Sequence, residues 1–384
     1  MRRRRWFILV LTIMVAPVFL PACGSPAGSV PTPTPVPASS LLAMLVGKEG
    51  KVEVAQPIQA DYRPARLGMQ LQGGDGVKTY PQSIADIFCQ DGSIQRVDAE
   101  REEMVACRGD TSLSPQLYEP LERAHDGRSS LVLPPRESPA DYGHVPVILS
   151  PRNTKLLTFA PTFRWTIVDG AKGYTVIVRS PVGEVWRGET DQTELAYPAD
   201  APALSDGTTY LLSVEARLGA AAAPRVSTEA PHFSILAPPE AEEIQALEEE
   251  LKASPLKGSS QRFVLATLYA ERGLYHAAIT AYEALVADDE QTVYCCALGD
   301  LYVQIKLYCS AQEHYARAVD LATADGDKMG LAVAEAGLGR AYHGYGNADE
   351  ALTHLQASLS LYEELGETEQ AEQVSDLIAK VQGE

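Results

Sequence analysis

Apolar positions along this chain follow two different rhythms. From Leu41 to Arg108, and again from Val145 to Ile235, they come in short runs broken by Gly, Pro and Asp, which predicts β-strands joined by tight turns. Beyond Glu240 they recur at i, i+3, i+4 and i+7, the spacing of amphipathic helices. That helical stretch repeats itself. Leu265, Ala266, Tyr269, Gly273, Ala278 and Tyr282 align with Leu298, Gly299, Tyr302, Lys306, Ala311 and Tyr315, and then with Leu338, Gly339, Tyr342, Gly346, Ala351 and Leu355. The offsets are 33 residues (278 to 311) and 40 residues (311 to 351). Small residues in both helices of each pair allow a close crossing, and Leu and Tyr fill the space beside it. No single pair can bury its own apolar face, so the three pairs must stack. A leading helix over Glu240–Ala253 and a closing helix over Thr368–Gln382 are expected to cover the two ends.

The order large, small, aromatic, Gly, Ala, aromatic resembles the tetratricopeptide repeat. In the first β stretch, Gly50-Lys51-Val52, Arg63-Pro64-Ala65, Gly68, Gly74-Asp75-Gly76-Val77-Lys78-Thr79, Ser83, Ile87-Phe88 and Asp91-Gly92-Ser93 resemble the FecR domain of bacterial envelope proteins. In the second, seven short strands suggest a two-sheet sandwich. There Pro161 and Trp165, Gly173-Tyr174, and Leu204 through Tyr210 resemble a fibronectin type III domain, which implies a core Trp165 and a Tyr210 hydroxyl tied back to the backbone. The expected fold is multidomain, β then α: a FecR-like β domain (41–110), a Pro-rich linker (111–142), a fibronectin-like sandwich (143–237) and a tetratricopeptide solenoid (238–384).

The N-terminus changes the compartment. Four arginines, a 15-residue apolar run and Pro-Ala-Cys read as a secretory signal peptide over 1–22. Leu20-Pro21-Ala22-Cys23 resembles a bacterial lipobox, which implies a lipidated Cys23 and membrane attachment; an uncleaved anchor or simple secretion are the alternatives. Residues 23–40, rich in Pro, Ser and Thr, form an extended tether. In such an oxidising compartment Cys89 and Cys107 either pair, for about 3 kcal/mol, or remain thiols.

Charge is unevenly placed. Residues 240–384 hold 26 acidic and 9 basic side chains, net −17 of the chain's −19. Such a surface repels phosphate backbones, so nucleic-acid binding is excluded. The seven histidines sit in no metal-ligand spacing, and no nucleophile elbow is present. Ser254-Pro-Leu-Lys257 matches a Ser-x-x-Lys acylation motif, but Pro255 disrupts the turn that would align the pair. No catalytic, cofactor or metal site is therefore expected.

The resemblance to tetratricopeptide arrays implies a binding groove on the first helix of each repeat. Carried onto this chain, it comprises Phe263, Thr267 and Ala270, then Val293, Cys296, Asp300 and Val303, then Val333, Arg340 and His343, facing a protein or peptide partner. The alternative is that three repeats merely hold the C-terminus together around an empty or self-filled groove. The implied function is a non-catalytic envelope scaffold. Its rivals are a cell-wall polysaccharide binder, with Trp186 as a stacking platform, a FecR-like signalling component, and a hydrolase.

Overall fold

The computed structural model describes residues 42–57, 60–107, 112–125, 131–135, 144–219 and 223–383; the signal-like segment, Cys23 and the tether lie outside them. The first β region contains β1 (Leu42–Glu49), β2 (Val52–Ala55), β3 (Arg63–Pro64), β4 (Gln70–Gln72), β5 (Gly76–Thr79), β6 (Ile84–Cys89), β7 (Ile94–Val97) and β8 (Glu102–Met104). They form two antiparallel sheets, ordered β4-β1-β6-β7 and β3-β2-β5-β8. Ala43, Leu45, Val54, Val77, Ala85 and Ile87 fill the space between them. Cys89 and Cys107 are joined by a disulfide, with Cα atoms 5.7 Å apart.

The run Leu42-Ala-Met-Leu-Val46 does not alternate with polar residues, and β1 is accordingly buried on both faces. Met44, Val46 and Phe88 point away from the sheet-to-sheet core into a second one, shared with helices. The first of these is α1 (Pro115–His125), in the stretch expected to be mostly linker. Its Leu117, Tyr118 and Leu121 are buried in that shared core.

The second β region contains β9 (Ile148–Ser150), β10 (Thr154–Leu156), β11 (Thr162–Trp165), β12 (Gly173–Ser180), β13 (Gly183–Thr190), β14 (Glu194–Ala196), β15 (Thr209–Arg217), β16 (Arg225–Val226) and β17 (His232–Ile235). One sheet runs β10-β17-β15-β12-β13 with β16 on β15, and the other runs β14-β11-β9. The core holds Phe163, Trp165, Tyr174, Val176, Leu212 and Phe233. The Tyr210 hydroxyl accepts from the Ser205 N–H at 2.7 Å. Strands β10 and β16 were not expected, because two or three residues show no period.

The helical region follows: α2 (Pro238–Ala253), then the hairpins α3 (Gly258–Glu271) with α4 (Tyr275–Asp288), α5 (Thr292–Gln304) with α6 (Tyr308–Asp325), and α7 (Lys328–Tyr345) with α8 (Ala348–Leu365), closed by α9 (Thr368–Gly383). Close helix crossing has a visible cause: a Cβ on Gly299 would meet the Tyr315 ring at 2.7 Å. The turn at the end of the first helix needs a left-handed residue. Gly273 (φ +74°) and Gly346 (φ +91°) supply it, and Lys306 adopts φ +63° at the equivalent place.

All the described residues belong to one compact unit, and the regions expected as separate modules are interlocked. Ser260 on α3 donates to Asp86 on β6 at 2.7 Å, and Arg66 pairs with Asp327, the N-cap of α7, at 3.3 Å. The second β region docks on the turns between repeat helices. The Lys155 N–H donates to the Gly273 carbonyl (2.8 Å), and the buried Arg152 donates through Nε to the Ile305 carbonyl (2.6 Å) while pairing with Glu229.

Candidate binding groove

The ten residues expected along the groove meet two different fates. Phe263 is buried among the rings of Tyr282 (6.3 Å) and Tyr294 (5.6 Å). The Thr267 hydroxyl donates to the Phe263 carbonyl at 2.9 Å and lies 2.8 Å from the Tyr282 hydroxyl. Both therefore serve the interior of the first hairpin. Cys296 and Val303 are also buried, and burial pushes the Cys296 thiol well above its ordinary range. Ala270, Val293 and Val333 are half-buried at the edges of apolar clusters.

Asp300 and Arg340 form the floor at the α7 end. Arg340 donates through Nη1 to Asp300 Oδ1 at 3.0 Å, and the Tyr315 hydroxyl donates to the same oxygen at 2.6 Å. Burial penalises the Arg340 charge, yet Tyr315 and Asp300 outweigh it and hold the guanidinium above its ordinary range. Burial also raises the Tyr315 phenol, with the Asp300 charge acting in the same direction. His343 is buried one turn further on.

This floor is covered by the chain itself. Arg340 Nε donates to the Val132 carbonyl at 3.2 Å, and the Tyr308 hydroxyl donates to the Pro135 carbonyl at 3.1 Å. Leu131 is buried in the cluster of Ala332, Ala336, Ala351 and Leu355, with Leu133 against its edge. At the other end, α1 packs on α3. The surface expected to await a partner is self-filled along α3 and α7. Leu131 and Tyr308 belong to the site and were not singled out from sequence, and Tyr315 was read there only as a repeat position; the trace of the covering segment is the apolar Leu131-Val-Leu-Pro-Pro135 inside a polar, Pro-rich stretch.

Other candidates resolve into local structure. Ser254 Oγ donates to the Leu251 carbonyl (2.7 Å), and Lys257 Nζ donates to the Ser254 carbonyl (2.8 Å), so the pair closes the end of α2. Trp186 is half-buried, stacks on Phe163 at 5.9 Å and packs edge-on with Tyr197 at 5.2 Å, so part of its ring is taken up by the sandwich. Among the described residues, no group of three or more His, Cys, Asp or Glu is placed to hold a metal ion, and no helix is long and apolar enough to cross a membrane. Burial raises the Cys295 thiol to about 11.

The family model of the tetratricopeptide repeat matches residues 289–364, which span α5 to α8. Among solved structures, the chain is similar to the MamA protein, with 22% identity over 32% of this chain and 67% of that one, and a TM-score of 0.28. It is also similar to BtubC (BKLC) from P. vanneervenii, with 16% identity over 38% of this chain and 73% of that one, and a TM-score of 0.28. No curated protein matches the chain. By the family match the C-terminal region carries tetratricopeptide repeats, which generally serve as protein-interaction scaffolds, behind a β-rich region whose strands pair antiparallel except β10 with β17.

Proposed function

We propose that this protein is an exported scaffold of the bacterial cell envelope, lipid-anchored through Cys23, which recruits a protein partner through its repeats. The observation that carries the reading is the tetratricopeptide match over α5–α8. The signal-like residues 1–22 and the bonded pair Cys89–Cys107 support an oxidising compartment. The resemblances of the two β regions to FecR and fibronectin type III domains fit an envelope protein, with residues 23–40 as the tether that holds the folded body off the membrane. A sugar-binding role has less support, because the rings of Trp186 and Tyr197 are turned onto one another.

Metabolic labelling with a clickable fatty acid tests the anchor: the native chain takes label and stays with membranes, and Cys23→Ala does neither. Photo-crosslinking in intact cells from half-buried positions such as Val293 and Val333 tests recruitment. Discrete crosslinked proteins are expected. A label-free native chain sinks the anchor; a crosslink pattern like that of an unrelated envelope protein sinks recruitment.

A further inference from the structure

The segment that covers the α7 end of the groove behaves like a ligand rather than like part of the repeat core. Leu131–Pro135 belongs to no helix or strand. Its side chains alternate as in an extended peptide: Leu131 is buried, Val132 is 68% exposed and Leu133 is half-buried. The five extended residues span about 13 Å from first to last, and their contacts pass from Ala332 and Ala336 through Arg340 on α7 to Tyr308 at the start of α6. Pro134 and Pro135 have no N–H to satisfy and favour the extended form. Besides the buried Leu131 side chain, the backbone holds the segment. The carbonyls of Val132 and Pro135 accept from Arg340 and Tyr308, groups that read any extended chain irrespective of side chain.

Arg340 is the informative part. Burying a guanidinium is costly unless its donors are used, and here Asp300 satisfies one edge while Nε is aimed at the groove. Together with the apolar seat for Leu131, this makes a carbonyl reader beside an apolar pocket, held rigid by Tyr315 and Asp300 from neighbouring helices.

We infer that the groove along α7 is a site for an extended, apolar peptide ending in proline, and that Leu131–Pro135 occupies it in cis as a competitor of a partner segment of the same chemistry. The inference rests on the scaffold reading above. The helical region's net charge of −17 favours a partner segment flanked by basic residues, as Arg136 follows Pro135 here. A linked segment faces its seat at an effective concentration on the order of millimolar, so free peptide at micromolar levels is excluded from the resting chain.

The test uses the full chain and a fluorescent peptide of sequence Leu-Val-Leu-Pro-Pro-Arg, followed by polarisation. Truncating a buried leucine weakens its seat by roughly thirty-fold or more. Leu131→Asp and Leu131→Ala should therefore bind the peptide at least ten-fold more tightly than the native chain. Val132→Ser, altered at an exposed position, should behave as the native chain does. Adding Arg340→Gln to Leu131→Ala should remove the gain while leaving the helical circular dichroism in place. If Leu131→Asp loses its helical signal, Leu131→Ala decides by the same criterion. Equal affinity for native chain and Leu131→Ala, or no binding by a folded Leu131→Ala, overturns the inference and leaves the segment a structural staple. Crosslinked partners elsewhere in that event would preserve the scaffold reading.

Discussion

Gly47 lies where β1 meets α3, at the point where the pairing of β1 with β6 slips by a residue. A Cβ added there would stand 1.9 Å from Ser260 Oγ, 2.9 Å from Ser260 Cβ and 3.0 Å from Asp86 Oδ2. Rotating the serine side chain relieves the first contact but not the second, so the strand and the helix must separate. Two costs follow from Gly47→Ala. The buried hydrogen bond from Ser260 to the Asp86 carboxylate is lost, about 1.5–3 kcal/mol for a charged acceptor. Overpacking adds about 1–3 kcal/mol. Asp86 keeps its two bonds from Arg96, at 2.7 and 3.1 Å, and so does not become an isolated charge. The expected loss is about 3–5 kcal/mol, read from urea denaturation by far-ultraviolet circular dichroism. Ser260→Gly removes both clashing atoms. The hydrogen bond is absent from both single variants and from the double, and the clash occurs only in the Gly47→Ala single variant, so the double variant should be more stable than the sum of the single losses by about 3–5 kcal/mol. A Gly47→Ala chain within about 0.5 kcal/mol of the native one, or strict additivity in the double variant, would refute the interlock between β1 and α3.

Three further outcomes are expected. Reducing the Cys89–Cys107 bond should lower stability by about 3 kcal/mol on the loop-entropy estimate, seen as a lower melting temperature with a phosphine reductant and absent in a Cys89→Ser, Cys107→Ser chain. Arg152→Met should cost about 2 kcal/mol: the Ile305 carbonyl loses its donor inside the protein, whereas the Glu229 side chain, 42% exposed, rehydrates. His314 is half-buried, stacked on Tyr302 at 5.2 Å, and burial holds it below its ordinary value of 6.5 against the opposing charges of Glu283, Glu313 and Glu290. Its folded form stays neutral while the unfolded chain protonates, so this contribution is complete above pH 6.5 and is lost as pH falls below it. The stability difference between the native chain and His314→Gln, measured by urea melts at pH 7.5 and 5.5, should shrink or reverse toward acid; a constant difference would disprove the assignment.

The repeats were legible because their signal is periodic and local: small residues facing aromatics, as with Gly299 and Tyr315, recur at fixed offsets. The β regions were legible as strands for the same reason, while β10, with only Thr154-Lys155-Leu156, gave no period to detect. What the sequence did not disclose was which faces meet. Ser260 and Asp86 are 174 residues apart, and Arg340 and Val132 are 208 apart, so nothing local links them. One clue was present in the unbroken apolar run of β1, which demands cover on both faces. The groove assignment illustrates the same limit: on a helix a shift of one position turns a side chain by about 100°, which separates Phe263 inside the hairpin from a residue facing a partner.

The interlock also sorts the concave surface by how readily it can be given up. Near α3 the cover consists of β1, β6 and α1, whose Met44, Phe88, Leu117, Tyr118 and Leu121 share one core with Phe263 and Leu298. At about 1.5–3 kcal/mol for each large side chain, exposing that core would approach or exceed the whole stability of an ordinary domain. Among the described residues, the cover at the α7 end comprises the buried Leu131, the half-buried Leu133 and hydrogen bonds from Arg340 and Tyr308 to backbone carbonyls. By the same arithmetic this is about 4–5 kcal/mol, so a segment of equal affinity displaces it only at a local concentration on the order of millimolar, and one that adds contacts beyond the seat does so at lower concentration. Among the described residues, the seat of Leu131–Pro135 is the stretch of the concave face whose cover can be given up without exposing a core shared with the β-sheets.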